Sequence, residues 1–586
     1  MTTETTTNRR HRDPDSVAVV GAGPTGVMLA IELARRGLGV TVLERLSEPP
    51  TESRATGIHA RTLEIFRQLG LVEQFLAVGQ RLDGFALHTR QRRPVRVRFD
   101  GLDTPYPFLL NLRQDVTQEI LDRHLERQGV TIQRGVEVID VRQDDEQVEL
   151  TVRRAGSTHP ETITAAWVVG CDGAHSIVRR SLGVAFDGGD YGQDWLMADV
   201  NLDPAPARDH FHIYIHTPVA FVTLPLPSGR FRVFLPQVPN RGVDERTPPD
   251  IQEIERLAAE RGPAGLRLSD PEILAAFRCY RRSTPTMRNG RVLVAGDAAH
   301  IHTPAGGQGL NTGLQDCFNL GWKLALVAQH RISAALLDTY QAERLPIASG
   351  VLELSHRMVS MFNVASAGRR RLRDRILPAA VAVPAVRHRF TGRMAELSLD
   401  YRGGPLTESG ALGRPRSSSV APGDRFPDVP CLTREGHAVG TLDLLSTRHT
   451  LFILAGETAD RRTVEVLTAR FERYTEFVRV VLLTPQGLWD QPDHFSDPGL
   501  RAHDRYRARA GKLLLVRPDG YLAADARLAE PERIERYLSL LTRSTAGANG
   551  RVEGSGPDSR PDGAGASRDV ALNGDARAQL KVERPR

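Results

Sequence analysis

Short, wholly apolar runs alternate with segments of helical periodicity through the first part of the chain. Residues 17–20 (VAVV) are apolar throughout, as a parallel strand buried on both faces requires, and VMLAIELARRG repeats apolar positions at helical spacing. GVTVLE predicts a second strand, which ends in Glu44. Strand, turn and helix recur at 167–183 (WVVGCDGAHSIVRRSLG). They recur again after the turn Asn289-Gly290, where RVLVAG leads towards the long helix DCFNLGWKLALVAQH. Residues 186–280 read differently. MADVNLD, HFHIYIH, AFVTLPLP and FRVFLPQ alternate or run apolar at strand length between Pro and Gly turns, predicting an inserted antiparallel sheet. From 405 to 545, TLFILAG, FVRVVLL and KLLLVRPDGYLAA read as strands, with helices at RRTVEVLTARFERY and EPERIERYLSLL.

The fold expected from this pattern is α/β, with a Rossmann-like nucleotide-binding domain over 15–185 and 281–404, the later part of it helical. A sheet domain occupies 186–280 and a third unit 405–545. A polar lead (1–14) and a tail poor in apolar residues (546–586) are expected to be disordered.

Three glycine motifs fall at the turns of this pattern: GAGPTG at 21–26, CDGAHSIVR at 171–179 and GDAAHIHTPAGGQGLN at 296–311. In the first, Gly21 suits a tight turn, Gly23 a close approach of backbone to pyrophosphate, and Gly26 tight packing of helix on strand. Pro24 and Thr25 open the helix, whose N-terminal N–H groups favour phosphate. Glu44 can accept both ribose hydroxyls and would repel a 2′-phosphate, so this loop suits FAD or NAD over NADP. In the third motif, Asp297 at a strand end can accept from a sugar-like hydroxyl. The small residues before the long helix leave N–H groups free for the pyrimidine edge of a flavin.

Composition narrows the class. Apolar residues make up 40% and charged residues 25%, as in an ordinary soluble globular protein. The net charge of +6 rests on 74 arginines against three lysines, and no basic run is interleaved with aromatics, so nucleic acid is not an expected partner. The densest basic cluster, RRRLR at 369–373, reads as the flank of a helix. ILPAAVAVPAV at 376–386 is too short, and too rich in proline, to span a membrane. Cys171, Cys279, Cys317 and Cys431 show no metal-ligand or CxxC spacing, and no metal site is expected. A cytoplasmic location is expected from the polar N-terminus and the scattered thiols.

Taken together, the order and spacing of the glycine motifs resemble those of the group A flavoprotein aromatic monooxygenases, the family of para-hydroxybenzoate hydroxylase, phenol hydroxylase and the polyketide hydroxylases. The likeness spans about residues 15–405, including ALLDTYQAERLPIA and LDYRGGPL. It implies bound FAD, NAD(P)H as donor, and cofactor contacts from Gly21, Gly23, Pro24, Thr25, Gly26, Glu44 and Arg45. It also implies contacts from Arg54, Gln114, Asp172, Gly173, Gly296, Asp297, Gly307, Gly309, Leu310 and Asn311, with Pro304 beside the flavin carbon that carries oxygen. Gln118 departs from the family pattern, where an acid is usual. The 405–545 unit resembles the thioredoxin-like domain of the phenol hydroxylase branch, and without CxxC its thiol redox chemistry is not expected. The sequence leaves a homodimer open.

The implied reaction is insertion of one atom of O2 into a phenolic or aromatic substrate, an aromatic polyketide or a simple phenol, through a flavin hydroperoxide. A base near the phenol would raise its nucleophilicity. His212, Tyr214, His216 and His302 are candidates by location. His212 and His216 share a strand face and equally suit a polar, solvated surface. The same cofactor chemistry also serves Baeyer–Villiger oxygenation, epoxidation or antibiotic inactivation. A flavin oxidoreductase without oxygenase activity is the other class that stays open.

Overall fold

A computed structural model describes residues 16–49, 55–91, 93–239, 248–303, 306–408, 420–457, 460–485 and 493–542. The expected disordered lead and tail lie outside these residues, as do Arg54 and Pro304.

A six-stranded sheet runs in the order Arg288–Asn289, Val292–Val294, Trp167–Gly170, Val17–Val20, Val40–Glu44, Ile132–Arg134. All pairs are parallel except the short antiparallel edge at Arg288–Asn289. Val17–Val20 is buried at every position, which explains its unbroken apolar run. Helix Pro24–Ala34 packs on helix Gln308–Ala328, although nearly three hundred residues separate them. Small residues permit that approach. A Cβ on Gly313 would lie 2.7 Å from Thr25 Oγ1, and one on Gly321 would lie 2.6 Å from Glu32 Cβ.

The second sheet has eight strands, ordered His300–Ile301, Arg267–Ser283, Asp187–Asp203, Phe231–Pro239, Phe221–Pro225, His210–Tyr214, Gly84–His88, Val95–Arg98. It is antiparallel except where His210–Tyr214 runs parallel to Gly84–His88. It therefore draws strands from outside 186–280. Gly84–His88 and Val95–Arg98 precede that segment, and only a crossover of over a hundred residues joins the parallel pair, a separation no local pattern reveals. The sequence reading also passed over a helix, Ile251–Arg261, whose buried Ile254, Leu257, Ala258 and Arg261 follow helical spacing behind an Asp250 cap.

The two faces of this sheet have different partners. Phe211 and Ile213 join the main core, together with Phe85 and Leu87 of the neighbouring strand. Tyr214, Phe221 and Val233 point the other way, into a cluster closed by Ile254 and Leu257 of the covering helix. A long helical arm follows, Asp338–Phe362, Ala367–Ala382 and Pro384–Met394.

The 405–545 unit is built on a seven-stranded sheet. Its order is Ala438–Gly440, Pro430–Leu432, His494–Ser496, Val478–Thr484, His449–Leu454, Lys512–Val516, Leu522–Ala526. His449–Leu454 pairs parallel to Val478–Thr484, the crossover between them being helix Arg461–Glu472, and antiparallel to Lys512–Val516.

Candidate functional site

Adjacent strands bring the three glycine motifs together. Val17–Val20, Trp167–Gly170 and Val292–Val294 are neighbours in one parallel sheet, and each motif leaves from a carboxyl end, the edge where open α/β sheets bind ligands. Backbone bonds tie the turns to each other: Cys171 N donates to Val20 O (2.7 Å) and Ala295 N to Gly170 O (3.0 Å). Gly21 takes φ +97°, and a Cβ there would lie 2.5 Å from Cys171 O. Gly26 is tighter still, its Cβ position only 1.9 Å from Gly21 O. Thr25 wedges between the first and third motifs, against Gly296 and Gly313, while Cys317 Sγ donates to its carbonyl (3.1 Å).

Glu44 reaches the first loop. Its carboxylate accepts from Ala22 N (2.8 Å) and Leu46 N (3.0 Å), and Arg45 beside it is exposed. Gln118, the departure from the family pattern, donates through Nε2 to Ala22 O (2.9 Å) and Asp122 Oδ1 (2.6 Å). An ionised acid could not make the first of these bonds. Gln114 opens helix Gln114–Arg127 and accepts from Ala55 N (3.2 Å).

Asp172 caps helix Ile177–Ser181, accepting from Ile177 N (2.7 Å) and Val178 N (3.2 Å). Burial raises its pKa, and Oδ1 has no partner among the described residues. Gly173 follows at φ +77°. Asp297 is exposed at the strand end, within the turn Gly296–Ala298.

Helix Gln308–Ala328 begins at Gly307 in the left-handed region (φ +64°), with no side-chain cap on its first N–H groups. Asn311 uses its side chain as a clasp, which leaves its backbone N–H at the uncapped helix start. Its Oδ1 accepts from His59 N (2.9 Å), and its Nδ2 donates to Gly57 O (2.9 Å) and Gly307 O (2.8 Å). His59, which the sequence reading did not single out, completes the clasp by donating from Nε2 to Gly306 O (2.8 Å), and burial lowers its pKa to about 4. Leu310 is half-buried against the main core.

A flavin dinucleotide fits this edge. A Cβ at Gly23 or at Gly309 would meet nothing within 4 Å, so both glycines face open space and not packed protein. The helix starting at Pro24 has no side-chain cap, which leaves its first turn to an anion. Two buried oxygens next to the third loop, Thr303 Oγ1 and Gln308 Oε1, have no partner among the described residues.

Behind the third loop runs a chain of buried polar groups. Asp316 accepts from His300 Nε2 (2.6 Å), Arg344 Nε (2.7 Å) and Gly296 N (3.1 Å). Burial would raise its pKa, but His300 and Arg344 hold it down at about 2. With Asp316 ionised, His300 donates from Nε2, and its Nδ1 is hydrogen-bonded to His302 Nε2 (2.9 Å). His302 Nδ1 is left as a buried lone pair without a partner among the described residues, and burial next to His300 keeps this ring neutral. The HxH pair is thus a hydrogen-bonded relay.

The other base candidates lie elsewhere. His212 donates from Nε2 to Ala207 O (2.8 Å), and its Nδ1 bonds His88 Nε2 (3.0 Å), so both nitrogens are engaged. By alternation His212 and Tyr214 point away from Phe211 and Ile213, towards the face under helix Ile251–Arg261. His212 thus lies on the sheet face opposite Phe211 and Ile213. Burial raises the Tyr214 pKa to about 12, and its ring stacks on His88 (4.3 Å). His216 lies past the strand end, half-buried beside Tyr214. On the inner face, Asp199 and Arg232 form a fully buried bidentate pair (2.7 Å each) that sequence reading missed. A charged residue at an inward position of MADVNLD was the available signal.

Glu396, also unanticipated, is fully buried at φ +60°, bonded to Gln315, with Oε1 lacking a partner among the described residues. Burial pushes its pKa up to about 8 against an opposing pull from Arg344. The native state therefore holds a proton that the unfolded chain releases above about pH 4.5. The stability this gives is complete below that value and is lost as pH rises through about 8. Glu396→Gln is expected to raise the melting temperature at pH 9, by a few kcal/mol in free energy, with little change at pH 5. Thermal unfolding at the two pH values checks this, and an equal shift at both would contradict it.

Comparison with known proteins gives a consistent result. Residues 15–355 match a family described as FAD binding domain. The chain is 35% identical over 573 residues to the 6-methylpretetramide 4-monooxygenase of Streptomyces rimosus, covering 92% of this chain and 97% of that relative. The solved anhydrotetracycline hydroxylase from Streptomyces rimosus superposes with a TM-score of 0.71 at 30% identity, covering 90% of this chain and 99% of that one. An aklavinone-11 hydroxylase, solved in a ternary complex with FAD and aklavinone, gives 0.69 at 26% identity, with coverage of 90% and 99%. Among the described residues no helix is long and apolar enough to cross a membrane.

Proposed function

The chain belongs to the FAD-dependent aromatic monooxygenases, and from that premise we propose that its substrate is a multi-ring phenolic polyketide, hydroxylated between the flavin and the inner face of the eight-stranded sheet. The enzyme consumes NAD(P)H and inserts one oxygen atom of O2 into an aromatic substrate. The observation that carries the reading is the meeting of three glycine turns at one carboxyl edge, with open space before Gly23 and Gly309. A relative that hydroxylates 6-methylpretetramide and a neighbour solved with aklavinone support the polyketide class.

Bound and reduced, the flavin supplies the activation of O2 that no amino-acid side chain provides. The chain positions it. Glu44 accepts from the adenosine ribose, with Arg45 beside it, and the N–H groups from Thr25 and Gly26 hold pyrophosphate. Gln114 and Asp297 would accept along the ribityl chain, Asp172 and Gly173 would approach from the second motif, and the uncapped N–H groups at Gly309, Leu310 and Asn311 would hold the pyrimidine edge. On the inner sheet face, Trp195, Met197 and Phe277 form an apolar cluster with Cys279 that excludes water.

His302 is assigned as the proton acceptor for the phenol, in preference to His212. Its Nδ1 lone pair is unengaged among the described residues, and a proton received there is stabilised through His300 by the Asp316 carboxylate. We read 15–185 and 281–404 as the FAD-binding domain, 186–280 as the substrate sheet and 405–545 as thioredoxin-like. The last has no redox role, since Cys431 is buried and its thiol is pushed up to about 12.

The test is NAD(P)H oxidation by the flavin-loaded enzyme across a panel of single-ring phenols and multi-ring polyketides. Stimulation by multi-ring phenols with product formation is expected; stimulation by single-ring phenols alone would overturn the substrate class. His302→Gln should lower kcat about a hundredfold with flavin content unchanged, and an unaltered kcat would remove the assignment.

A further inference from the structure

Two sequence features play no part in the flavin chemistry, the basic cluster at 369–373 and the apolar stretch at 376–386. They meet on one hairpin, made of helices Ala367–Ala382 and Pro384–Met394. The first helix has two stripes with identical spacing. Arg370, Asp374, Leu377 and Val381, at i, i+4, i+7 and i+11, face the protein. The first two are buried and the last two pack on the main core. Gln91 Nε2 donates to Asp374 O (2.8 Å) and Arg370 Nη1 to Val364 O (2.8 Å), which anchors this side. Leu372, Ile376, Ala379 and Val383 repeat the same spacing on the outward side, and all are exposed.

The exposure is large. Leu372 is 59% accessible, Ile376 55%, Val383 47% and Val386 48%. Large apolar side chains are seldom left outward in a row unless something covers them. Arginines border the stripe on both sides, Arg369 on one and Arg371 and Arg375 on the other, with Arg387 and Arg389 continuing past the turn. None of these five has an ion-pair partner among the described residues. Residues 367–394 hold eight arginines and one acid, Asp374, which is buried and paired with Arg373 (2.9 Å). This local excess is larger than the +6 of the whole chain.

We propose that this hairpin lies flat on an anionic lipid surface, with the Leu372–Ile376–Val383 stripe among the acyl chains and the flanking arginines on the headgroup phosphates. Charge complementarity selects a negative occupant and rules out a second copy of the same face, which would set arginine against arginine. The exposed positions from 367 to 389 are Ala, Gly, Pro, Leu, Ile, Val, Arg and one His, with no side-chain hydroxyl or amide and no Phe, Tyr or Trp. Protein interfaces rely on such groups for directional recognition, whereas a lipid surface needs only apolar area and positive charge. The hairpin does not cross the bilayer, and this agrees with the absence of a spanning helix among the described residues.

Co-sedimentation of the flavin-loaded, full-length protein with vesicles provides the test. Binding is expected to vesicles of phosphatidylglycerol mixed with phosphatidylcholine, but not to phosphatidylcholine alone, and it should weaken at least tenfold between low and high salt. The Leu372→Gln/Ile376→Gln pair and the Arg369→Gln/Arg371→Gln/Arg375→Gln triple should each weaken it at least tenfold, with bound flavin and melting temperature unchanged because every altered side chain is exposed. The proposal is overturned by no binding at low salt, by equal binding to neutral vesicles, or by variants that bind like the parent. It is also overturned if polyglutamate binds as tightly as the anionic vesicles, or if light scattering finds a dimer that Leu372→Gln/Ile376→Gln dissociates.

Discussion

Gly26→Ala is expected to yield a chain that unfolds early and retains no flavin. The added methyl would lie 1.9 Å from Gly21 O and 3.2 Å from Cys171 Cβ, and the first obstacle is backbone, which cannot swing aside as a side chain could. Relief would require helix Pro24–Ala34 to lift off its strand, a cost of about 3 kcal/mol or more and hence at least a hundredfold loss in FAD affinity. Gly23→Ala separates folding from binding. Its methyl meets no protein atom within 4 Å, so the apoprotein should melt as the parent does. That methyl occupies the space where the pyrophosphate must approach the backbone, so FAD affinity should still fall at least tenfold. Apoprotein melting and flavin titration of the two variants check the pair. Full flavin retention by Gly26→Ala would show that the loop is not packed as described.

Arg517→Met is expected to lower the melting temperature by about 10 °C, through loss of a charge network between the C-terminal unit and the flavin helices. Arg517 reaches both oxygens of Glu343 (2.6 and 2.8 Å) and Asp519 Oδ1 (3.0 Å), and its side chain is fully buried. Glu343 also accepts from Lys323 Nζ (2.7 Å) and Asn319 (2.8 Å), while Asp519 accepts from Trp322 Nε1 (3.2 Å) and, through its carbonyl, from Arg61 (2.7 Å). Burial would raise the Glu343 pKa, but Arg517 and Lys323 hold it down at about 2. Removing Arg517 leaves Asp519 buried against neutral side-chain donors, an imbalance worth about 3–5 kcal/mol. Lys323, Asn319 and Trp322 belong to helix Gln308–Ala328, which starts in the third glycine motif, so on the proposed function flavin retention should weaken as well. Replacing Lys323, Glu343 and Arg517 by Met together with Asp519→Asn should recover much of the loss, because no charge of this network is then stranded. A melting temperature unchanged in Arg517→Met would contradict this account of how the C-terminal unit serves the enzyme.

The legible parts of this chain were those whose cause is local. VAVV followed by glycines at 21, 23 and 26, with Glu44 at the next strand end, specifies strand, turn and helix by burial and steric room alone, and the structure has them in that order. The convergence of three motifs was legible for the same reason, since each follows an apolar run at a strand's carboxyl end. The distant partnerships were not legible. Gly84–His88 pairs with His210–Tyr214 across more than a hundred residues, and Asp519 meets Trp322 from another unit. His212 and His302 looked equivalent as isolated histidines. Hydrogen bonding distinguishes them: both ring nitrogens of His212 are engaged, whereas His302 Nδ1 has no partner among the described residues. The clasp that the Asn311 side chain makes was not legible either, because its hydrogen-bond partners at residues 57 and 59 lie far away in sequence. Glu396 gave no signal at all, since its raised pKa comes from burial that tertiary packing alone creates.

The most direct single measurement is the mass of the product formed from a multi-ring phenolic polyketide under isotopically heavy O2, with NAD(P)H supplied to the flavin-loaded enzyme. A product that gains one heavy oxygen atom on an aromatic ring, with about one NAD(P)H oxidised per product, is the result expected. NAD(P)H oxidation that leaves the phenol unlabelled, or a product whose new oxygen comes from water, would contradict it.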